Sequence, residues 1–472
     1  MKTQENLILL ADAYKYSHHK LYYTGTNKIS SYFESRGGLF PSTVFFGLQY
    51  FIKHYLEGEV ITAQKVDEAQ QFMPQVFGRD DVFDRAKFDY IVQKHGGRLP
   101  VKIKAVPEGT DVPTHNVLMT IESTDPECFW LANFLETLLV QIWYPCTVAT
   151  LSKEILKTVK TYYADTASDE AMAGVEFVLN DFGFRGVSSV ESAGIGGAAH
   201  LLNFRGSDTI MGSIVAQRYY NSPTVWGLSV PATEHSVCTL LGEEGELDIF
   251  KHILNTFPTG IVACVSDSYN IFRACAEYWG GELKDQILNR DGVLVIRPDS
   301  GDPVATLLKV FDILMQHFGY TTNAKGYKVL PKQVRVLQGD GINLNSIKEI
   351  YAALKQHHIS AENLLLGMGA ALLQKMDRDT QKFAFKCSYA EIDGKGIDVQ
   401  KNPVEIDADG NTVLSFKKSK AGKLKLVKTE DGYKTLKQHE LPEYEDQLIT
   451  VFENGKLLVD DSFETIRKRA NG

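Results

Sequence analysis

Apolar residues recur at helical spacing over 43–57 (TVFFGLQYFIKHYLE), with Ser42 placed to cap the start and Gly58 to end the run. A second helix is predicted over 84–95, closed by Gly96-Gly97. VKIKAV (101–106) and VLMTIE (117–122) read as strands, and 126–164 as mostly helical. Residues 1–165 therefore form an α+β segment on this reading.

The middle of the chain changes period. IVACVSDS (261–268), VLVIRPDSG (293–301), VRVLQGDG (334–341) and NLLLGMGA (363–370) are short apolar runs that end in Gly- or Asp-rich turns. Helical patterns follow at 268–278, 303–318 and 344–357. Strands rich in Val, Ile and Leu alternating with helices predict βα units on a parallel sheet. Four strand ends carrying Asp or Gly resemble the working rim of a βα barrel, where loops face the opening. A single such turn merely ends a strand; four in succession predict a shared site. The fold class expected is α/β, with 166–381 as a βα-barrel-like core.

From about residue 382 the pattern is that of hairpins. FAFKCSYAEI, TVLSF, KLKLV and LITVF are strand-like and separated by Asp-Gly or Asn-Gly turns at 393–394, 409–410, 431–432 and 454–455. A terminal helix is predicted over 462–470. This C-terminal antiparallel β extension, 382–472, is expected to pack with the N-terminal segment. The six lysines of SFKKSKAGKLKLVK (415–428) read as the charged guard of an exposed edge strand.

Composition narrows the function. The 472 residues carry 50 Lys+Arg against 59 Asp+Glu, a formal charge of −9, which argues against a nucleic-acid binder dominated by phosphate neutralisation. No stretch reaches the ~18 uninterrupted apolar residues of a membrane span, and MKTQENLILLADAYKYSHH has too short an apolar run for a signal peptide. The six cysteines, at 128, 146, 238, 264, 275 and 387, include no CxxC pair and predict neither a zinc site nor a disulfide framework. A reduced, cytoplasmic protein is expected, with no membrane and no nucleic-acid partner.

Candidate chemistry gathers at the strand ends. Arg297 and Asp299 lie in RPDSGDP and Asp267 in VSDSY, so both carboxylates face one mouth. Such an Asp can bind a metal or sugar hydroxyls, and an Arg can stack or fork; a structural Arg–Asp pair is the plain alternative. QGDG (338–341) and GMGA (367–370) let main-chain N–H groups approach a phosphate. His235, after Pro231 in SVPATEHSVC, is a candidate base or nucleophile, or a hydrogen-bonded core residue. DFGFRG (181–186) places an aromatic face, Phe182, beside a cation, Arg185. Asp208 is uninformative alone.

Together these segments resemble the nicotinamide phosphoribosyltransferases, of the type II phosphoribosyltransferase family. The resemblance runs from LLADAYKYSH (9–18), SYFESRG (31–37), TVFFGLQY and QIWYPCTVAT through DFGFRGVSS, SVPATEHS, VSDSYNI, VIRPDSGDP and VLQGDG to LLQKMDRD (372–379), FKCSY and KNPV (401–404). It covers nearly the whole chain. The chain departs from it at Ala370 and Ala371, where glycines are usual, at Phe184 for Tyr, and at Thr233 for Ala; 404–440 matches poorly.

The resemblance implies a homodimer with shared active sites. The reaction it implies is nicotinamide plus phosphoribosyl pyrophosphate giving nicotinamide mononucleotide and pyrophosphate, in NAD salvage. Mg²⁺ would be the cofactor and ATP a coupling co-substrate. Phe182 and the partner's Tyr14 would sandwich the pyridine ring, with Arg297 close by and Asp208 accepting from the carboxamide. Asp299, Gly339 and Asp340 would lie near the ribose, and Gly339 and Gly369, followed by Ala370, near the 5′-phosphate. Arg36, Arg185, Arg378, Lys386 and Lys401 would serve the phosphates and pyrophosphate. His235 matches the histidine phosphorylated from ATP; Asp267 and Asp299 are its catalytic companions and the candidate Mg²⁺ ligands. Nicotinate phosphoribosyltransferase, with the same chemistry on a carboxylate, is the alternative.

Overall fold

The computed structural model describes residues 5–401, 404–406, 410, 412–414 and 419–472. The turn at 409, the lysines at 417 and 418, and residues 402 and 403 of KNPV lie outside the described residues. The chain divides into two compact units.

The first unit comprises 1–150, 218–222 and 377–472. Its centre is a seven-stranded sheet that interleaves the two ends of the chain: Lys395–Asp398, Phe383–Ile392, Thr26–Ser35, Val117–Ser123, Val101–Ala105, Ile449–Glu453 and Lys456–Leu457, in that spatial order. Adjacent strands run antiparallel, with Tyr32 opposite Lys386 and Ile103 opposite Ile121. The Asp393-Gly394 and Asn454-Gly455 turns join neighbouring strands because all four residues adopt positive φ, as hairpin turns require. Phe33 stacks on Phe383 with ring centroids 5.1 Å apart.

Two expectations for this unit need correcting. The helix predicted over 43–57 is not continuous: Ser42–Val44 is a strand, Gly47 turns the chain at φ 108°, and helix begins only at Leu48. Residues 43–52 are buried without a break, so the apolar spacing there carried no direction. The lysine run is not a solvated edge either: among the described residues Lys420 pairs with Glu34, and Lys425 is buried, donating to the Leu441 carbonyl.

The second unit comprises 151–217 and 223–376. Six parallel strands form its sheet, in the order Gly206–Ser207, Leu179–Asp181, Leu364–Met368, Val334–Gln338, Gly292–Arg297 and Gly260–Val265. The segment 228–233 reaches both edges. Leu228 N–H donates to Arg205 O (2.8 Å) and its carbonyl accepts from Ser207 N–H (2.9 Å). Pro231 O then accepts from Ala263 N–H (2.9 Å), and Thr233 N–H donates to Ala263 O (3.0 Å). That one irregular segment turns an open sheet into a barrel-like ring. Ala263, Val295 and Leu337 are buried together within it.

The helices begin where the sequence provides caps. Asp302 accepts from Ala305 N–H (2.8 Å), with Pro303 as the first residue of Pro303–Phe318. Asn343 and Ser346 form a reciprocal capping box on Leu344–Gln356. The helix expected over 268–278 starts at Ile271 and widens into a π-helical stretch, Ala274–Glu282. One helical run, Pro126–Thr166, has the length and hydropathy of a membrane span, and 67% of its most apolar window is buried within the protein, as in a core helix.

Candidate active site

The strand ends of the second unit converge as a rim. Leu179–Asp181 delivers Phe182, whose N–H donates to Met368 O at the end of the neighbouring strand (3.0 Å). The half-buried Phe182 ring packs onto the Ala263–Val295–Leu337 cluster and so lies over the barrel interior. The Arg297 guanidinium lies 5.2 Å from the centre of that ring, within cation–π range. Asp299 holds Arg297 there by accepting from Nε (3.2 Å) and Nη2 (2.8 Å) on one oxygen. Gly339 allows this pair to approach: a Cβ at 339 would meet Arg297 Nε and Nη2 at 3.2 Å and Asp299 Oδ1 at 3.3 Å.

Asp208 joins the same corner through the main chain. Its N–H donates to Asp181 O (2.9 Å), which places it beside Phe182. Ser229 Oγ–H donates to Asp208 Oδ1 and orients the carboxylate. Beneath it, burial raises the Asp181 carboxyl to about 6, with the nearby charge of Asp208 adding and the Gly183 N–H opposing.

His235 opens the one-turn helix His235–Cys238, which the chain enters through Glu234 in an extended conformation. Its Nε2 lies 3.0 Å from Asp267 Oδ1. A carboxylate only accepts, so in the neutral imidazole the proton sits on Nε2 and Nδ1 is left with its lone pair. The imidazole is half exposed, at 50%, and the Asp267 carboxylate is 3% exposed. Asp267 Oδ2 accepts from Asp299 N–H (2.9 Å) and Ser300 Oγ–H (2.6 Å). Asp267 therefore ties His235 to the 297–301 turn. Three of the roughly four lone-pair sites of this carboxylate are thus taken, which leaves Oδ1 able to offer one to Mg²⁺. Among the described residues, the one group of three side chains close enough to share a metal is His95, Asp125 and Cys128. Asp125 there accepts from Tyr90 and caps Glu127, as a structural residue does.

Gly369 precedes the short helix Ala370–Leu373, and Gln338 Nε2 donates to Asp340 O (2.9 Å), fixing the QGDG turn. Arg185 is exposed next to Phe184.

The basic residues belong to the first unit. Lys386 lies opposite Tyr32 on the central strand pair, and Arg36 follows that strand, donating to Glu34 Oε1 (2.7 Å). Burial pushes the Lys386 ammonium below its usual range; Glu136 opposes this, while the positive charges of Arg36, Arg378 and Lys401 add to it. Three other cations, Arg36, Arg378 and Lys401, act on Lys386, so positive charge is concentrated locally in a protein of net charge −9. Tyr14, in the 3₁₀ turn Ala13–Ser17, is 57% exposed and meets His18 edge-on.

Three participants were not singled out from sequence: Ser229 on Asp208, Ser300 on Asp267, and Gly367 under Phe182. All are small residues within motifs already noted, and their roles depend on contacts across the rim that spacing does not encode.

Comparison with known proteins gives the family. Residues 177–455 match the model of the nicotinate phosphoribosyltransferase family, and residues 6–103 match the nicotinamide phosphoribosyltransferase N-terminal domain. A nicotinamide phosphoribosyltransferase of Xanthomonas campestris is 44% identical over 475 positions, covering 99% of this chain and 98% of the relative. One of Acinetobacter baylyi is 34% identical over 510 positions, with the same coverage of 99% and 98%. In fold, the chain superposes on the nicotinate-nucleotide pyrophosphorylase of Pyrococcus furiosus with a TM-score of 0.60 at 14% identity, covering 100% and 96% of the two chains. It superposes on human nicotinic acid phosphoribosyltransferase with a TM-score of 0.55 at 16% identity, covering 98% and 93%. The fold is that of the type II phosphoribosyltransferases, and the chain belongs to the nicotinamide phosphoribosyltransferase family.

Proposed function

We propose that this enzyme transfers phosphoribosyl from phosphoribosyl pyrophosphate to the ring nitrogen of nicotinamide, releasing pyrophosphate, as a step of NAD salvage. The observation that carries the choice of pyridine is Asp208, anchored beside Phe182 and oriented by Ser229. A carboxamide N–H₂ donates to that carboxylate, a charge-assisted bond worth about 1.5–3 kcal/mol. The carboxylate of nicotinate has no donor to offer and meets a like charge. Discrimination on the order of 10³ is the expected result.

In the transfer, Phe182 provides the flat surface that fixes the pyridine, so that its nitrogen approaches C1′ in line. Asp299 and Asp340 at the strand ends stabilise positive charge developing on the ribose, and Gly339 and Gly369 expose main-chain N–H groups to the 5′-phosphate. Arg36, Arg378, Lys386 and Lys401 take the departing pyrophosphate. Mg²⁺, when bound, neutralises pyrophosphate charge.

We further propose that His235 accepts a phosphoryl group from ATP on Nδ1 while Asp267 holds Nε2. The phosphohistidine then couples ATP hydrolysis to product formation. The enzyme works as a cytoplasmic homodimer in which Tyr14, exposed on the surface, and Arg36 complete the site of the other subunit. Complementation tests this reading: a hybrid of a Tyr14→Ala, Arg36→Ala chain with an Asp208→Ala chain regains activity from one intact site. Purified hybrids that stay inactive would rule out the shared site.

A further inference from the structure

Two cysteines far apart in sequence meet behind the His235–Asp267 pair. The Cys238 thiol donates to Thr233 Oγ1 (3.3 Å) and to Val265 O (3.2 Å). The Cys264 sulfur lies against the same two oxygens, at 3.8 Å from Thr233 Oγ1 and 3.5 Å from Val265 O. Two sulfurs that share both partners are neighbours. The Thr233 hydroxyl donates nothing to the rim described above; it bonds the two thiols and accepts from Val265 N–H (2.9 Å).

The position of the pair is what gives it a consequence. Cys238 closes the single helical turn that His235 opens, and Cys264 lies on the strand Gly260–Val265, just before Asp267. We propose that Cys238 and Cys264 form a redox pair whose closure to a disulfide separates His235 from Asp267. The surroundings favour attack by Cys238: it closes a turn with exposed neighbours while Cys264 lies within a strand, and the Cys264 thiol beside it, with Thr233 and His235 adding, draws the Cys238 thiol down against the effect of burial.

With a peroxide as oxidant, the Cys238 thiolate attacks one peroxide oxygen. The O–O bond breaks, hydroxide leaves, and Cys238 becomes a sulfenic acid. The Cys264 sulfur then attacks the Cys238 sulfur. The S–S bond forms, the S–O bond breaks, and the hydroxyl leaves as water with the Cys264 proton. Two thiols and one peroxide thus give one disulfide and two waters. Both thiols are buried, but Ser236, Val237, Thr239 and Leu240 around Cys238 are exposed, so a one-turn opening admits the oxidant.

A disulfide requires sulfurs about 2.05 Å apart, closer than two thiols in contact. The strand is held on one side by Gly292–Arg297 and on the other by the segment 231–233. The exposed helical turn is what moves. His235 moves with it, and a 3.0 Å contact with Asp267 does not survive a shift of that size. Under the function proposed above, on which this consequence rests, oxidation switches off ATP coupling while leaving basal transfer.

The test treats the full-length enzyme and its Cys238→Ser and Cys264→Ala variants with hydrogen peroxide, then divides each sample. Denatured thiols are counted and peptides mapped by mass spectrometry; transfer is assayed with and without ATP, before and after dithiothreitol. The expected result is loss of two thiols and a linked 238–264 peptide pair in the unsubstituted enzyme. Its ATP-dependent stimulation should fall about tenfold and return with dithiothreitol, while neither variant responds. Absence of the linked peptide overturns the redox pair whatever the activity does. A linked peptide with undiminished stimulation, or variants that lose stimulation equally, overturns the effect on His235. Absence of ATP stimulation in the reduced enzyme counts against the phosphohistidine reading alone, since the linked peptide still decides the pair.

Discussion

The ring of Phe182 packs directly against Gly367: a Cβ at 367 would stand 2.1 Å from the ring's Cε2 and 2.5 Å from Cδ2. No rotation of a methyl relieves such an overlap, because the ring is backed by the Ala263–Val295–Leu337 cluster. The glycine of this strand end is therefore there for the aromatic surface.

Gly367→Ala should displace Phe182 from its place. Overpacking of this kind costs about 1–3 kcal/mol of stability. Its specific signature is a rise of about tenfold in KM for nicotinamide, with KM for phosphoribosyl pyrophosphate nearly unchanged. Steady-state kinetics on both substrates decide; equal effects on the two would show that Phe182 does not carry the pyridine.

His235→Ala removes the proposed phosphoryl acceptor and leaves the rim around Phe182 and Asp208 intact. Basal transfer should persist at a reduced rate, and its stimulation by ATP should disappear. The check is product formation with and without ATP, together with acid-labile phosphate on the protein. A variant still stimulated by ATP would exclude His235 from the coupling.

Glu108 sets a pH dependence of stability. Its two oxygens accept from Gln49 N–H (2.6 Å) and Gly47 N–H (3.1 Å), and burial raises the carboxyl from 4.5 to about 7 despite those bonds. Between these two values the folded state binds a proton that the unfolded state has lost, so stability falls as pH rises through the window. Glu108→Gln should flatten the decline between about pH 5 and 7, by roughly 1–3 kcal/mol across it. Urea unfolding at several pH values measures the slope; an unchanged slope would contradict the assignment.

The sequence reading went furthest where chemistry and local structure coincide. RPDSGDP was legible because the same residues end a strand, turn the chain and cap Pro303–Phe318. The Asn-Gly and Asp-Gly turns identified hairpins because they permit positive φ. The run 43–57 misled because residues 43–52 are buried without a break, so helical spacing did not mark one face. Lys425 misled because a lysine can bury its stem and give its ammonium to carbonyls. The site was legible as strand ends but not as pairs. That Asp267 serves both His235 and the 299–300 turn, that Ser229 orients Asp208, and that Cys238 meets Cys264 all depend on distant segments folding against one another. The spacing of the cysteines, without a CxxC pair, said nothing about cysteines brought together by the sheet.

The central claim is that an oriented carboxylate at 208 selects the amide over the acid. It is tested most directly by kcat/KM for nicotinamide and nicotinate, measured on the unmodified enzyme and on Asp208→Asn. The account predicts a preference for nicotinamide on the order of 10³ in the unmodified enzyme. In the variant, nicotinamide use should fall sharply and the gap should narrow, since the asparagine amide no longer repels a carboxylate. Equal use of both pyridines by the unmodified enzyme, or an Asp208→Asn variant with its preference unchanged, would contradict the account and favour nicotinate as the substrate.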